Sequence, residues 1–474
     1  MGKYSRLGNN TVLVFIGNIG SKLISLLMLP FYTKWLSIND YGKADLIVIY
    51  VSFLLGIITL SICDAIFIFP KEKLKDNQKI YFSSGLFFTL ISFTIAALLF
   101  SIVKSTYNYF GITNSFTQHT WIIFWMITAT FLQSYMQQFA RSIDRIKVYA
   151  ISGIVLTAST ATLSFILIPK YGLMGFLFAQ ISSLSIAAIY SLFYSKAYTF
   201  FSIHAIKKKS YGEMLRFSIP LIPNGIMWWL VAALNRPIME HYLGLHAIGI
   251  FAVANRFPSI INMLFSVFGY SWQISVIEEF NKPDYKDFYN KILRIIFTLL
   301  TLFSCVMAIF SKSIVSLMAD EKFFEAWNLV PILTIAVLFS SLSGFVGTNF
   351  SATKESRYFF YSSVWGALAS IFFNIILIPE IGLMGAAISV VLSYIVMSIS
   401  RIKYSWKYVP ITQFHQYIFM ILINILIILI IYFINNIIMS SIFILILLFI
   451  FILINKSLVI DLKLEYEILK NRRK

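Results

Sequence analysis

The sequence predicts an all-α membrane protein with about 14 transmembrane helices, arranged as two pseudo-symmetric six-helix lobes plus two C-terminal helices. Hydrophobic residues make up 59% of the 474 positions, whereas charged residues make up 12%, about half of what soluble domains carry. The apolar residues extend over the whole chain, so they exceed what one membrane anchor needs. A short motif recurs 210 residues further on (Ile168 and Ile378), which divides the helices into two similar halves.

Each predicted span is an apolar run long enough to cross a bilayer as a helix, which takes about 20 residues. The loops between the runs are short, so we expect no sizeable domain outside the membrane. The predicted spans cover residues 9–36, 44–69, 80–103, 119–140, 146–168, 172–194, 213–235, 244–270, 288–311, 327–350, 358–378, 382–404, 414–434 and 437–455.

Basic residues are concentrated in the loops that join even-numbered to odd-numbered spans and in the C-terminal tail. Loops on the cytoplasmic side of membrane proteins carry an excess of Lys and Arg, so we expect a bacterial inner-membrane protein with both termini in the cytoplasm. These scattered cations also account for the net charge of +18, and we expect no nucleic-acid partner. The basic loops contain Lys71, Lys73, Lys75, Lys79, Arg141, Arg145, Lys147, Lys196, Lys207, Lys208, Lys209, Lys282, Lys286, Lys354, Arg357, Arg401, Lys403 and Lys407.

An internal repeat predicts how the helices are organised. Residues 168–175 read IPKYGLMG and residues 378–385 read IPEIGLMG, each between two apolar runs. Proline ends helices and glycine permits tight turns, so each copy predicts a hairpin between two spans. Six spans separate the copies, and this even number keeps their orientation, which predicts parallel repeats. A second, weaker repeat consists of Tyr41-Gly42 and Ile248-Gly249, which lie 207 residues apart.

The repeat therefore predicts four segments. Residues 1–195 form an N-terminal six-helix lobe, and residues 196–212 form a basic cytoplasmic inter-lobe loop. Residues 213–405 form a C-terminal six-helix lobe. Residues 406–474 form two extra helices and a basic cytoplasmic tail.

Polar residues on the first predicted span point to a water-filled lumen. Asn18, Ser21, Lys22 and Ser25 are spaced by three and four residues, so they share one helical face. Lys22 lies near the middle of the span, where an ionisable group usually lines a cavity. The alternative is a structural pair between Lys22 and Asp64 on the second span. Asp64 is also the candidate for coupling to a proton or a sodium ion.

Further candidate substrate-binding residues lie on the fourth, seventh and eighth spans. The glutamines on one face suit sugar hydroxyls or helix–helix hydrogen bonds, and the tryptophans suit sugar stacking or the membrane interface. Deep cations outnumber deep acids, which favours an anionic cargo such as a diphosphate over an organic cation. Neither catalytic residues nor a metal or cofactor site is expected. The candidates are Gln133, Gln137, Trp228, Trp229, Asn235, Arg236, Asn255 and Arg256.

Several of these segments resemble a known family. Residues 17–23 (GNIGSKL), Leu29-Pro30 and residues 36–42 (LSINDYG) resemble the N-terminal signature of polysaccharide-biosynthesis flippases. Residues 217–223 (FSIPLIP), followed by Asn235-Arg236, Leu243-Gly244 and Gly249, resemble the start of their second lobe. The resemblance covers nearly the whole chain. It implies the fold of the multidrug/oligosaccharidyl-lipid/polysaccharide exporter superfamily, which is called MATE-like.

The resemblance implies a Wzx-type flippase for an O-antigen or capsule repeat unit. Such a protein moves an undecaprenyl-diphosphate-linked oligosaccharide from the cytoplasmic to the outer leaflet by alternating access. The expected partners are the lipid-linked oligosaccharide, the bilayer, a polysaccharide polymerase and a chain-length regulator. A multidrug cation antiporter of the same superfamily and a lipid II flippase are the alternatives. A membrane sugar transferase or polymerase fits less well, because the chain has no large loop to hold a catalytic site.

Overall fold

A computed structural model describes residues 24, 26–71, 75–434 and 436–456, which form α-helices and short 3₁₀ helices without any strand in these ranges. The all-α class is therefore confirmed. Within the described ranges, eight helices are long and apolar enough to cross a membrane, or nine when a bent pair is taken as one span. The total of fourteen spans stays a prediction.

Contacts divide the chain into two compact units: Met1–Ala252 with Met318–Phe323, and Val253–Leu317 with Phe324–Lys474. The helices that begin in the first unit are α1 (Leu29–Trp35), α2 (Ile38–Ile58), α3 (Ile62–Ile68), α4 (Lys75–Tyr109), α5 (Ser115–Gln118), α6 (Thr120–Ser142), α7 (Ile146–Tyr194), α8 (Lys208–Ser218), α9 (Ile222–Ala233), α10 (Asn235–Tyr242) and α11 (Gly244–Arg256). Short 3₁₀ turns at Ala197–Phe200, Ile203–Ala205 and Ile219–Leu221 connect some of them.

The second unit contains two of the longest apolar helices and both C-terminal ones. Its helices are α12 (Pro258–Glu279), α13 (Tyr285–Ile309), α14 (Ser311–Met318, whose last residue belongs to the first unit), α15 (Val330–Ala352), α16 (Ser356–Ser405), α17 (Phe414–Phe433) and α18 (Ile437–Ile454). A 3₁₀ segment, Glu321–Asn328, precedes α15.

The first copy of the repeated motif turns α7 into a helical hairpin. Gly172 leaves the helical conformation with φ 52° and ψ −126°. The Ser191 hydroxyl donates to the Ser152 hydroxyl oxygen at 2.8 Å, although 39 residues separate them, so the two halves of α7 run back along each other. A Cβ added to Gly175 would lie 2.2 Å from the Leu167 carbonyl oxygen, which explains why this turn needs a second glycine.

The second copy builds the same turn in α16. Gly382 has φ 61° and ψ −134°, close to the values at Gly172. A Cβ added to Gly385 would lie 2.0 Å from the Leu377 carbonyl oxygen. Arg401 donates through Nε to the Ser362 hydroxyl oxygen at 3.0 Å, and these positions correspond to Ser191 and Ser152 in the first copy. The hairpins predicted from the motif are therefore confirmed.

Three predicted spans are interrupted rather than continuous. The span expected at 44–69 is divided into α2 and α3, because Leu60 and Ser61 adopt left-handed conformations with φ 48° and 54°. The Ser92 hydroxyl donates to the carbonyl of Ile58 at this break, which satisfies a backbone oxygen inside the apolar layer. Prolines break the other two spans: Pro220 and Pro223 lie at the α8–α9 junction, and Pro258 begins α12.

The two C-terminal helices α17 and α18 end within one residue of the predicted spans. Both are attached to α13 by buried polar groups. The Asn424 amide donates to the Thr301 carbonyl at 3.4 Å, and the Thr298 hydroxyl donates to Asn455 Oδ1 at 3.0 Å. Such hydrogen bonds stabilise helix packing where lipid removes the hydrophobic driving force.

The second, weaker repeat, Tyr41-Gly42 and Ile248-Gly249, forms a close helix crossing within the first unit. A Cβ added to Gly42 would lie 2.2 Å from the Leu245 carbonyl oxygen, and one added to Gly249 would lie 2.2 Å from the Ile38 carbonyl oxygen. The same spacing, 207 residues, separates Gly42 from Gly249 and Ile38 from Leu245. The crossing of α2 and α11 is therefore reciprocal, as contacts about a two-fold axis are.

We expect Gly42→Ala to destabilise the protein by about 1–3 kcal/mol, because the new methyl group forces the two backbones apart. The measurement is the unfolding temperature of the detergent-purified protein. Gly56→Ala is the matched control, since it lies on the same helix and an added Cβ there has no atom within 4 Å. Equal unfolding temperatures for Gly42→Ala and wild type would contradict the close crossing.

Candidate functional site

Four of the candidate residues cannot be placed. Asn18, Ser21, Lys22 and Ser25 lie outside the described residues, so the polar face of the first span stays a prediction. The other candidates divide between the units. Asp64, Gln133, Gln137, Trp228, Trp229, Asn235 and Arg236 belong to the first unit, whereas Asn255 and Arg256 belong to the second.

Arg236 is buried at the start of α10, with only 4% of its surface exposed. Its Nη1 donates to the Ala232 carbonyl at 2.7 Å and to Asn235 Oδ1 at 2.8 Å. Its Nε lies 3.6 Å from Asp45 Oδ2, and the guanidinium carbon lies 4.6 Å from the Phe251 ring centroid. The side chain is therefore packed inside the first unit, where a carboxylate balances its charge.

Asp45 is the acid that the sequence interpretation missed. It falls on the second residue of the predicted span 44–69, where it looks like a boundary residue. The helix instead begins at Ile38, so Asp45 lies about two turns inside it. An acid inside an apolar helix usually pairs with a cation. Applied to Asp45, this rule predicts a basic partner, which the structure shows to be Arg236.

Glu240 is also engaged in packing. Its Oε2 accepts from the Tyr50 hydroxyl at 3.0 Å, and its Oε1 accepts from the Ser115 backbone N–H at 2.9 Å. Two acids, Asp45 through Arg236 and Glu240 through Tyr50, thus hold α10 against α2. One ion pair and one hydrogen bond therefore fix α10, which follows the seventh predicted span, to α2.

Trp229 forms part of a small pocket between α2 and α9. Its Nε1 donates to the Ile49 carbonyl at 3.3 Å, and its ring lies 4.4 Å from that of Phe53. The pocket has a volume of about 120 Å³ and is also lined by Ser52, Gly56, Ser61 and Gly225. That volume holds about four waters at the density of the liquid. Trp228 is half-buried on the same helix, and sugar stacking by either ring stays a prediction.

The two glutamines of α6 share a face, as expected, and bond to each other and to α7. Gln133 Nε2 donates to Gln137 Oε1 at 2.9 Å, and Gln137 Nε2 donates to the Tyr149 carbonyl at 3.0 Å. Both amides therefore make intramolecular hydrogen bonds in this structure. Of the two interpretations, helix–helix bonding is supported by the contact of Gln137 with the Tyr149 carbonyl on α7.

The remaining candidates lie at helix ends. Asp64 is exposed in the first turn of α3, directly after the left-handed break. Its pairing with Lys22 is not tested, because Lys22 lies outside the described residues. Asn255 and Arg256 are half-buried at the end of α11. Within the described residues, no group of three or more His, Cys, Asp or Glu side chains could hold a metal ion.

Arg401 differs from its expected place among the loop cations. It lies inside α16 and is fully buried. Its guanidinium donates to the hydroxyls of Ser362 and Ser363 at 3.0 and 3.1 Å and to the Ser343 carbonyl at 2.8 Å, with the Phe359 ring centroid 4.1 Å away. These three oxygen acceptors offset the cost of burying the charge. Since Ser343 lies on α15, Arg401 also joins the α16 hairpin to that helix.

The chain is similar in sequence to proteins of polysaccharide synthesis. Residues 7–272 match the family model described as "Polysaccharide biosynthesis protein". The capsular polysaccharide biosynthesis protein CapF of Staphylococcus aureus is 24% identical over 232 residues. That match covers 48% of this chain and 58% of CapF, so it spans little more than half of the relative.

The fold is shared with solved membrane transporters. The lipid II flippase MurJ in an inward closed conformation superposes with a TM-score of 0.71 at 14% identity, over 96% of this chain and 99% of that one. A multidrug resistance MATE family transporter in an outward-facing conformation gives 0.59 at 12% identity, over 84% and 94%. At these identities the likeness establishes the fold, and it confirms the MATE-like class.

We expect Asp45→Ala to destabilise the protein by about 3–5 kcal/mol, because Arg236 would remain buried without its carboxylate. The measurement is a double-mutant cycle of unfolding free energies, with Asp45→Ala, Arg236→Gln and the double variant Asp45→Ala/Arg236→Gln. We expect the double variant to be more stable than Asp45→Ala, since it leaves no buried charge without a partner. Additive losses in the cycle would contradict the ion pair.

Proposed function

Because the chain belongs to the polysaccharide biosynthesis protein family, we propose that it translocates an undecaprenyl-diphosphate-linked oligosaccharide from the cytoplasmic to the outer leaflet. The observation that carries this proposal is the family match over residues 7–272, more than half of the chain. The shared fold with a lipid II flippase supports it, since that protein's name also specifies a lipid-linked cargo. CapF supports a capsule repeat unit, and an O-antigen repeat unit has the same carrier chemistry.

The proposed architecture has fourteen spans in two six-helix lobes, residues 1–195 and 213–405, followed by two extra helices. The α7 and α16 hairpins supply two spans each, and the broken helices α2–α3, α8–α10 and α11–α12 supply one each. The wider coverage of MurJ than of the MATE transporter, 96% against 84% of this chain, agrees with two helices beyond a twelve-helix body.

In the proposed cycle the head group crosses through a lumen while the lipid tail stays in the bilayer. Lys22 and Arg256 hold the diphosphate, and polar and aromatic side chains accommodate the sugars. No bond is made or broken. Moving one charge across 100 mV is worth about 2.3 kcal/mol, so export of a diphosphate carrying about two negative charges from a negative interior is favoured by roughly twice that.

A multidrug cation antiporter is the second candidate, because MATE transporters share the fold. The buried ion pair of Arg236 with Asp45 adds one acid to those that the sequence interpretation placed deep in the membrane. The family match and the capsule relative still favour an oligosaccharide cargo. The two candidates differ in phenotype, since loss of a flippase removes surface polysaccharide and loss of an antiporter changes drug sensitivity.

We expect Lys22→Ala to insert normally yet lose most polysaccharide export, because the diphosphate loses its cationic partner. The measurement is surface polysaccharide in a deletion strain that carries each variant, with membrane abundance determined in parallel. Lys22→Arg should keep partial function, since it retains the charge but changes the geometry. The control is Lys170→Ala, which removes an exposed cation at the α7 turn.

Two outcomes would change this assignment. Reduced abundance of Lys22→Ala, restored by a second substitution Asp64→Ala, would make Lys22 a structural partner of Asp64. Full export by Lys22→Ala at normal abundance would remove Lys22 from the mechanism.

A further inference from the structure

Two cations meet at one aromatic ring at the end of the first unit that carries its basic loops. Arg141 lies in the last turn of α6, and its guanidinium carbon is 4.2 Å from the Phe67 ring centroid and 5.5 Å from that of Tyr149. Lys71 Nζ is 5.7 Å from the same Phe67 ring. The end of α3, the end of α6 and the start of α7 thus meet around these four side chains, which we call the Arg141 site.

The guanidinium of Arg141 differs from other arginines of the chain in how its donors are used. Arg401 and Arg236 donate to carbonyl, hydroxyl and amide oxygens, and Arg145 donates through Nη1 to the Tyr194 carbonyl at 3.0 Å. Within the part of the chain that the structure describes, the Arg141 guanidinium lies against the rings of Phe67 and Tyr149 and makes no side-chain hydrogen bond or ion pair. Its five N–H donors have no acceptor there, although the side chain is half-buried.

Aromatic rings position a guanidinium without consuming its hydrogen-bond donors. The ring quadrupole attracts the cation, and the planar group keeps its N–H fork available for a bidentate anion. Phosphate oxygens are the preferred partners of such a fork. The exposed ammonium of Lys71 adds a second positive charge at the same ring. The positive-inside rule accounts for loop cations such as Lys147, but it does not require a guanidinium held against two rings.

We propose that the Arg141 site binds the diphosphate of the lipid-linked oligosaccharide on the side of the membrane where transport begins, in addition to Lys22 and Arg256. This inference rests on the proposed function. In this proposal the head group first binds at the basic end of the first unit and then enters the lumen. The same chemistry would suit the phosphate of an anionic phospholipid, and the experiment separates the two sources.

The test measures binding of undecaprenyl diphosphate to the full-length protein in phosphatidylcholine nanodiscs. The parent protein carries Lys22→Ala and Arg256→Ala, so that these two residues do not hold the ligand when Arg141 is changed. We expect Arg141→Gln to weaken binding by about tenfold to a hundredfold, the loss of one charge-assisted bidentate contact. Lys147→Gln in the same parent is the matched control, because it removes one exposed positive charge from the start of α7, six residues from Arg141, and its affinity should equal that of the parent. Phe67→Leu should also weaken binding, because the guanidinium loses its ring support.

Three results would overturn the Arg141 site. These are an affinity in Arg141→Gln equal to that of the parent protein, an equal loss in Lys147→Gln, and displacement of the diphosphate by phosphatidylglycerol at equal concentration. The last result would assign the site to bulk anionic lipid. Failure of the proposed function is distinguishable, since it appears as unchanged surface polysaccharide in the deletion strain, whatever the Arg141 variants bind.

Discussion

A guanidinium among apolar helices has to find its acceptors within the chain, because lipid offers none. Two arginines meet this constraint, and a third does not. Arg401 donates to neutral oxygens and is fully buried, so it stabilises packing. Arg236 is balanced by Asp45, which fixes α10 against α2. Among the residues that the structure describes, the Arg141 guanidinium has two rings beside it and no hydrogen-bond acceptor, which leaves its donors for a ligand. Arg401 and Arg236 use guanidinium N–H donors within the protein and are structural, whereas Arg141 is suited to bind an anion.

The two motif hairpins share the same turn and differ in the contact that closes it. In α7 the closing contact is a hydroxyl pair, Ser191 with Ser152. In α16 the corresponding positions are Arg401 and Ser362, and the longer side chain also reaches α15. The turn depends on local glycine and proline residues, whereas the helix–helix contact depends on which side chains face each other. The second hairpin is hydrogen-bonded to α15 through Arg401.

Local chemistry explains which features the sequence predicts. Long apolar runs define the helices, and the glycine–proline motif defines both hairpins. The break at Leu60 and Ser61 has no such signal, because residues of these types seldom adopt left-handed conformations. The candidate site was predicted less well. The partner of Arg236 is 191 residues away in the chain, and only tertiary packing brings Asp45 to it.

The central claim is that this chain moves a lipid-linked oligosaccharide between leaflets, and transport by the purified protein tests it most directly. The measurement places a fluorescent undecaprenyl-diphosphate oligosaccharide in one leaflet of proteoliposomes and follows its exposure to a membrane-impermeant quencher. The account predicts much faster exposure than in protein-free liposomes, with no increase for a labelled phosphatidylcholine. Exposure at the protein-free rate, together with exchange of an organic cation for protons, would contradict it.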